Sequence, residues 1–418
     1  MNILIKSATI LDAKSDFHNT TQDILVENGC ITNIGSNLKN PNKYQEIVLE
    51  NLHVSQGWFD SSVSFGEPGF EERETISNGI KTAALSGFTS VALNPNTNPV
   101  IDTSSNVSFI TSKAIHQAVN VLPIGTLTKG SKGEDLAELF DMHNVGAVAF
   151  YDYKKSISNP NLLKIALQYA DNFGGLVCSF PQDNKMAGNG VVNEEVTSTS
   201  LGLKGIPALA EELQVSRDLF LLEYAGGKLH IPTISTAKSV ALIREAKEKK
   251  LDVSCSVAIH NLYFIDESLT GFDSNFKVKP PLRTQNDVNA LVEGVKDGTI
   301  DMVTTDHNPL DIELKKVEFD HAAYGTIGLE SAFGALKHIF TTKKTIDILT
   351  RGKSRFGIEN QPIAIGNTIN ATLFNPNSKY TFSKESIISK SHNAIFNGTT
   401  MKGNVYGIIA NNVIVLKE

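Results

Sequence analysis

From about Val54 to about residue 345, short apolar runs alternate with longer stretches of helical period, such as Asn78 to Leu85 and Thr236 to Lys249. No other feature constrains the fold as much, because alternation of this kind builds parallel sheets covered by helices. The candidate strands end in Phe59, Leu93, Leu127, Phe150, Phe180, Ile234, Ile259 and Thr305. Eight is the number that closes a parallel barrel. The expected class is therefore α/β, with a (β/α)8 TIM-type barrel over residues 54–350. The first fifty residues instead alternate apolar and polar, and Asn28-Gly29 between two such runs predicts a hairpin. Past about residue 355 short strands return, at Ile387 to Ser389 and at Val405 to Leu416, the latter with a turn at Ala410-Asn411-Asn412. Residues 1–53 and 351–418 are expected to meet in one small β-sandwich flanking the barrel.

Composition narrows the function classes. A chain of 418 residues, 41% hydrophobic and 20% charged, can bury a large core. Its net charge of -7, without clustered Lys and Arg, excludes electrostatic recognition of nucleic acid. Cys30, Cys178 and Cys255 are scattered, which excludes a disulfide framework and a thiolate zinc cluster and fits a reducing, cytoplasmic compartment. No apolar run is long enough to span a bilayer, so no membrane partner is expected.

Nine stretches in order carry a family resemblance. Among them are GWFDSSVSFGEPG (57–69), LNPNTNP (93–99), GAVAFYD (146–152), HIPTIST (230–236), FKVKPPLRT (276–284), DGTIDMVTTDHNP (297–309) and SKSHNAIFNG (389–398). Together they resemble the zinc-dependent dihydroorotases of the amidohydrolase superfamily, of the kind found in multifunctional or transcarbamoylase-associated complexes. The resemblance runs nearly end to end.

It implies a dinuclear zinc site at the C-terminal mouth of the barrel, where metal lowers the pKa of a bridging water from about 15.7 toward about 7. The family's first strand ends in Asp-x-His-x-His, and here the same place reads Asp60-Ser61-Ser62-Val63-Ser64. A neutral hydroxyl is a poor zinc ligand, so Ser62 and Ser64 keep the position and lose the chemistry. By the same correspondence Ser179 stands for the imidazole of the fifth strand and Thr233 for that of the sixth. Asp152 matches the bridging carboxylate, followed by a tyrosine where a second acid is often found. Asp306 matches the acid that binds metal and serves as general base. Two carboxylates do not hold a zinc pair, so no cofactor is expected. Lys154 or Lys279 near the mouth is expected to neutralise Asp152 and Asp306, which would otherwise repel each other. His230 is read as a satisfied core residue and Arg283 as structural.

The substrate-binding positions are also altered. The arginine that clamps the substrate carboxylate is Gly66, an asparagine is Lys279, a histidine is Leu310, and only Asn96 remains. The leading expectation is a non-catalytic dihydroorotase homologue of pyrimidine biosynthesis. The resemblance implies aspartate transcarbamoylase as its structural or regulatory partner, and a homodimer by analogy. The alternatives are an active cyclic-amide hydrolase, interconverting carbamoyl-aspartate and dihydroorotate with an atypical metal site around Asp152 and Asp306, and a small-molecule binder using the emptied mouth.

Overall fold

The computed structural model describes residues 1–417. Five strands precede the barrel: β1 (Ile3–Ile10), β2 (Thr21–Glu27), β3 (Cys30–Gly35), β4 (Gln45–Ile47) and β5 (His53–Gln56). The barrel opens with β6 (Trp58–Val63), β7 (Phe88–Leu93), β8 (Asn120–Gly125), β9 (Ala149–Tyr151) and β10 (Leu176–Cys178). A two-stranded insertion, β11 (Val192–Asn193) and β12 (Gly205–Ile206), follows. The barrel then resumes with β13 (Lys228–Ile231), β14 (Val253–Ala258) and β15 (Met302–Thr304). The chain ends with β16 (Ala371–Thr381), β17 (Thr400–Ala410) and β18 (Val413–Leu416).

The eight barrel strands pair in parallel in the order β6-β7-β8-β9-β10-β13-β14-β15. A bridge between Val63 and His307 brings the first and last strands together, and the Ser64 amide donates to the His307 carbonyl at 2.7 Å. Each of the eight expected strands is present, and the observed ends differ by no more than a few residues. The two expected helices form as Ile76–Leu85 and Ala237–Glu248. Each is started by a threonine, Thr75 or Thr236, whose hydroxyl accepts an amide of the first turn that would otherwise lack a partner.

The flanking unit is one continuous sheet, ordered β18-β17-β16-β5-β1-β2-β3 with β4 also on β1. Strand β1 makes the bend: Ile3 to Ile5 pair with β4, while Thr9 and Ile10 pair with β5. A bulge at Ser7, with φ of 51°, lies between the two pairings. The sheet encloses its own core of Ile5, Ile10, Ile24, Val54, Leu373 and Ile409. Both predicted turns carry two consecutive residues with positive φ, Asn28 and Gly29 at 53° and 79° and Asn411 and Asn412 at 51° and 61°. The strand expected at Ile387 to Ser389 does not form. This segment donates instead to the Glu330 carboxylate, through the amides of Ile388 and Ser389 and the Ser389 hydroxyl. Its backbone amides are taken up by a half-buried acid rather than by a strand partner.

Trp58 joins the two units. It stacks on Phe333 with ring centroids 4.9 Å apart, meets Phe374 at 5.6 Å, and donates its indole N–H to the Ser55 hydroxyl at 3.0 Å. Among the described residues no helix is long and apolar enough to cross a membrane.

Candidate active site at the barrel mouth

In a parallel barrel the C-terminal strand ends aim side chains into one mouth. Asp306, two residues past β15, lies there almost wholly buried, and so does Lys154, three residues past β9. The Lys154 ammonium is 2.6 Å from Asp306 Oδ2. Burial raises the Asp306 carboxyl above the ordinary aspartate range, and the Lys154 charge opposes that rise. The second oxygen, Oδ1, receives longer bonds of 3.4 Å from the Ser62 hydroxyl and from the Tyr153 phenol. Asn94 in turn donates its amide to Ser62 at 3.1 Å and to Ser64 at 3.2 Å. One polar network thus spans the first, second, fourth and eighth strands, with an ion pair at its centre.

Asp152 requires a correction. Its carboxylate does not face Asp306 but accepts the amides of Leu127 and Thr128, each at 3.0 Å, together with the Thr128 hydroxyl. It fastens the loop after β8. The reason is the turn that follows β9: the strand ends at Tyr151, and the chain turns at Tyr153 and Lys154, whose φ is 53°, so that both of these side chains reach Asp306 while Asp152 is held by the β8 loop. Tyr153 therefore occupies the mouth position where the acid was expected. Lys279 also departs from expectation. It forms no ion pair with either acid and lies over the Phe180 ring, 5.2 Å from its centroid. Burial, reinforced by the Lys154 charge, lowers its ammonium to about 8.

Ser179 and Thr233 have been absorbed into different surroundings. The Ser179 hydroxyl donates to Asp218 Oδ2 at 2.6 Å, and the same buried acid is held by Gln214 and by Arg217 at 2.7 Å. The Thr233 amide donates to Ser256 at 3.2 Å, and its own hydroxyl has no partner. Asn96, for which the resemblance implies a substrate-binding position, leaves its side-chain oxygen buried without a partner. None of the three serines bonds an imidazole, so no hydrolytic serine is assembled. Gly66 could not carry the family's arginine: a Cβ there would lie 1.8 Å from the Phe70 carbonyl oxygen.

Other buried polar groups are architectural. Asp60 ties β6 to β15 by accepting the Thr304 hydroxyl at 2.5 Å and the Thr305 amide at 3.0 Å, and burial pushes its carboxyl up to about 6. His230 bonds Ser254 at 2.9 Å and Ser256 at 3.3 Å, as a core histidine should. Burial lowers it to about 3, so it is neutral. Arg283 is buried against Asn193 at 2.7 Å, the Ile206 carbonyl at 2.9 Å and Ser235 at 3.1 Å, with Glu211 at 3.9 Å.

The donor set does not fit a zinc pair. Four positions offer neutral hydroxyls, the fourth-strand position offers a phenol, and the one carboxylate is already engaged by an ammonium. Among the described residues no three His, Cys, Asp or Glu side chains are grouped as a metal site would need. The sequence marked Tyr153 only as standing where a second acid is often found, and Asn94 went unrecognised. Nothing local marks Asp218 either, which lies on the helix Ala208–Ala225, beyond the two-stranded insertion that follows β10.

The fold and sequence have clear relatives. A family model described as dihydro-orotase-like matches residues 53–239. The dihydroorotase of Pelotomaculum thermopropionicum is 40% identical over 425 residues, spanning 100% of this chain and 99% of that protein. That of Geobacter metallireducens is 38% identical over 425 residues, with 100% of both covered. The L-hydantoinase of Arthrobacter aurescens shares the fold at a TM-score of 0.85 with 18% identity, covering 100% of this chain and 96% of that one. Identity of this order along the full length, on an amidohydrolase-type barrel with its flanking sheet, places the chain in the dihydroorotase family.

Proposed function

We propose that this chain is a non-catalytic member of its family, in which a buried ion pair replaces the metal centre, and that it serves pyrimidine biosynthesis as a structural or regulatory partner of aspartate transcarbamoylase. The observation that carries the first part is the Lys154 ammonium, 2.6 Å from Asp306 Oδ2. Opening a cyclic amide at neutral pH requires an activated water, and the family obtains it from metal that lowers the water's pKa toward about 7. Asp306 without metal is a poor substitute, because bulk water ionises far above any carboxylate and because the lysine already holds its proton-accepting oxygen. The loss extends to substrate binding, since Gly66 supplies no guanidinium for a substrate carboxylate and its packing excludes one. The family resemblance supports the transcarbamoylase as partner.

Gently purified protein, offered zinc and then analysed for metal content and dihydroorotate turnover, tests the catalytic part. The expected result is substoichiometric zinc and no turnover. Stoichiometric zinc with turnover abolished by chelators and by Asp306→Ala would establish the active cyclic-amide hydrolase instead. Co-purification of aspartate transcarbamoylase, whose activity changes when this chain is removed, tests the partner. Clean separation of the two by gel filtration at micromolar concentration overturns it.

A further inference from the structure

A second concavity lies at the opposite end of the barrel from the mouth. Gln56, two residues before the first barrel strand, lines it together with the β1–β2 connection and the helix Thr342–Arg351. Its volume is about 550 Å³, within the range of small-molecule sites. Leu11, Ala13 and Ile346 supply apolar wall. Three polar side chains on the same wall have buried atoms without hydrogen-bond partners: both ring nitrogens of His18, Oε1 of Gln56 and Oδ1 of Asn360. Such orphans are rare in folded proteins and costly unless something completes them. The Gln56 amide is oriented by its own bond, Nε2 donating to Asp12 Oδ1 at 2.8 Å, which leaves Oε1 as the free end.

Charge favours an anion. Lys14, Lys343, Lys344 and Arg351 line the cavity against only Asp12 and Asp347. Both acids are occupied, Asp12 by the amides of Lys14 and Ile363 besides Gln56, and Asp347 by Lys344 at 3.0 Å and Arg351 at 3.5 Å. Lys14 and Lys343 have no ion-pair partner among the described residues. Two unpaired ammonium groups thus border an apolar slot whose inner wall presents two carbonyl acceptors and an imidazole.

We propose that this cavity binds a small planar organic acid, with ring N–H or O–H donors directed at Gln56 and Asn360 and its anionic group directed at Lys14 and Lys343. Apolar walls hold the ring and the orphaned acceptors select for donors. The site is independent of the mouth and of whether the chain is catalytic.

Calorimetric titration of the full chain with three probes tests it: indole-2-carboxylate, which has ring, donor and anion; indole, which lacks the anion; and 1-naphthoate, which lacks the donor. The carboxylate is expected to bind about tenfold or more tightly than either of the others, the difference a single hydrogen bond or charge contact makes. Ala13→Trp, at an exposed position on the rim, should abolish binding. Asn360→Leu should bring indole-2-carboxylate down to the level of 1-naphthoate. Equal affinity for the three probes, no binding of any of them, or binding indifferent to Ala13→Trp overturns the proposal.

Discussion

Lys154→Met removes one half of a buried pair and leaves Asp306 with only two hydrogen bonds of 3.4 Å. The aspartate is 2% exposed and the lysine side chain 9%, so solvent cannot substitute for the lost ammonium. Breaking such a pair from one side costs about 3–5 kcal/mol. The cost depends on pH in a definite direction. The folded carboxyl is already raised by burial, so the unfolded chain releases this proton first and the aspartate's contribution to stability falls as pH rises through the folded value. Without Lys154 the carboxyl rises further, and the variant gains stability relative to wild type as the pH is lowered. Guanidinium unfolding at pH 7.5 and pH 5 should therefore show the larger deficit at the higher pH. Asp306→Asn in the same background should restore part of the loss, because it removes the stranded charge. A deficit below about 1 kcal/mol at pH 7.5, the range of an exposed pair, would refute the assignment of the pair as the centre of the mouth.

Lys279→Met should stabilise the protein, since a lysine lowered from 10.5 to about 8 costs about 3 kcal/mol while charged. That advantage should be full below about pH 8 and disappear as pH rises toward 10.5, read from denaturation at several pH values. Gly66→Arg should lower stability by about 1–3 kcal/mol or more without creating affinity for dihydroorotate, because its Cβ would overlap the Phe70 carbonyl. Replacing Ser62, Ser64, Ser179 and Thr233 with histidine should not yield stoichiometric zinc while Lys154 is present. Adding Lys154→Gly, at a position whose φ of 53° suits glycine, should raise the zinc content measured by elemental analysis. Arg283→Leu should cost about 1–3 kcal/mol or more in unfolding experiments, since it takes the buried donors from Asn193 and the Ile206 carbonyl and leaves Glu211 without its guanidinium at 3.9 Å.

The barrel was legible because it depends on local pattern. Strand and helix periods set the eight units. The identity of the acid facing Asp306 was less accessible. The turn that follows β9 separates Asp152, which holds the loop at Leu127 and Thr128, from Tyr153, which enters the mouth. The fate of Ser179 was not legible at all, since its partner Asp218 comes from a distant helix. Likewise the apolar pattern of Ile387 to Ser389 reads as a strand, yet the segment binds Glu330.

The sequence by itself determined the family, the barrel and the turns of the flanking sheet, because each of these follows from residues close together in the chain or from matching motifs. Only the tertiary structure decided which side chains meet. It brought Lys154 rather than Lys279 to Asp306 and joined β1 to two different partners in one bent sheet. It also gathered His18, Gln56 and Asn360 around a cavity at the far end of the barrel. Pairings of this kind depend on the closure of the barrel and on burial, which favours ion pairs and hydrogen bonds between groups far apart in the chain and leaves no local trace of them.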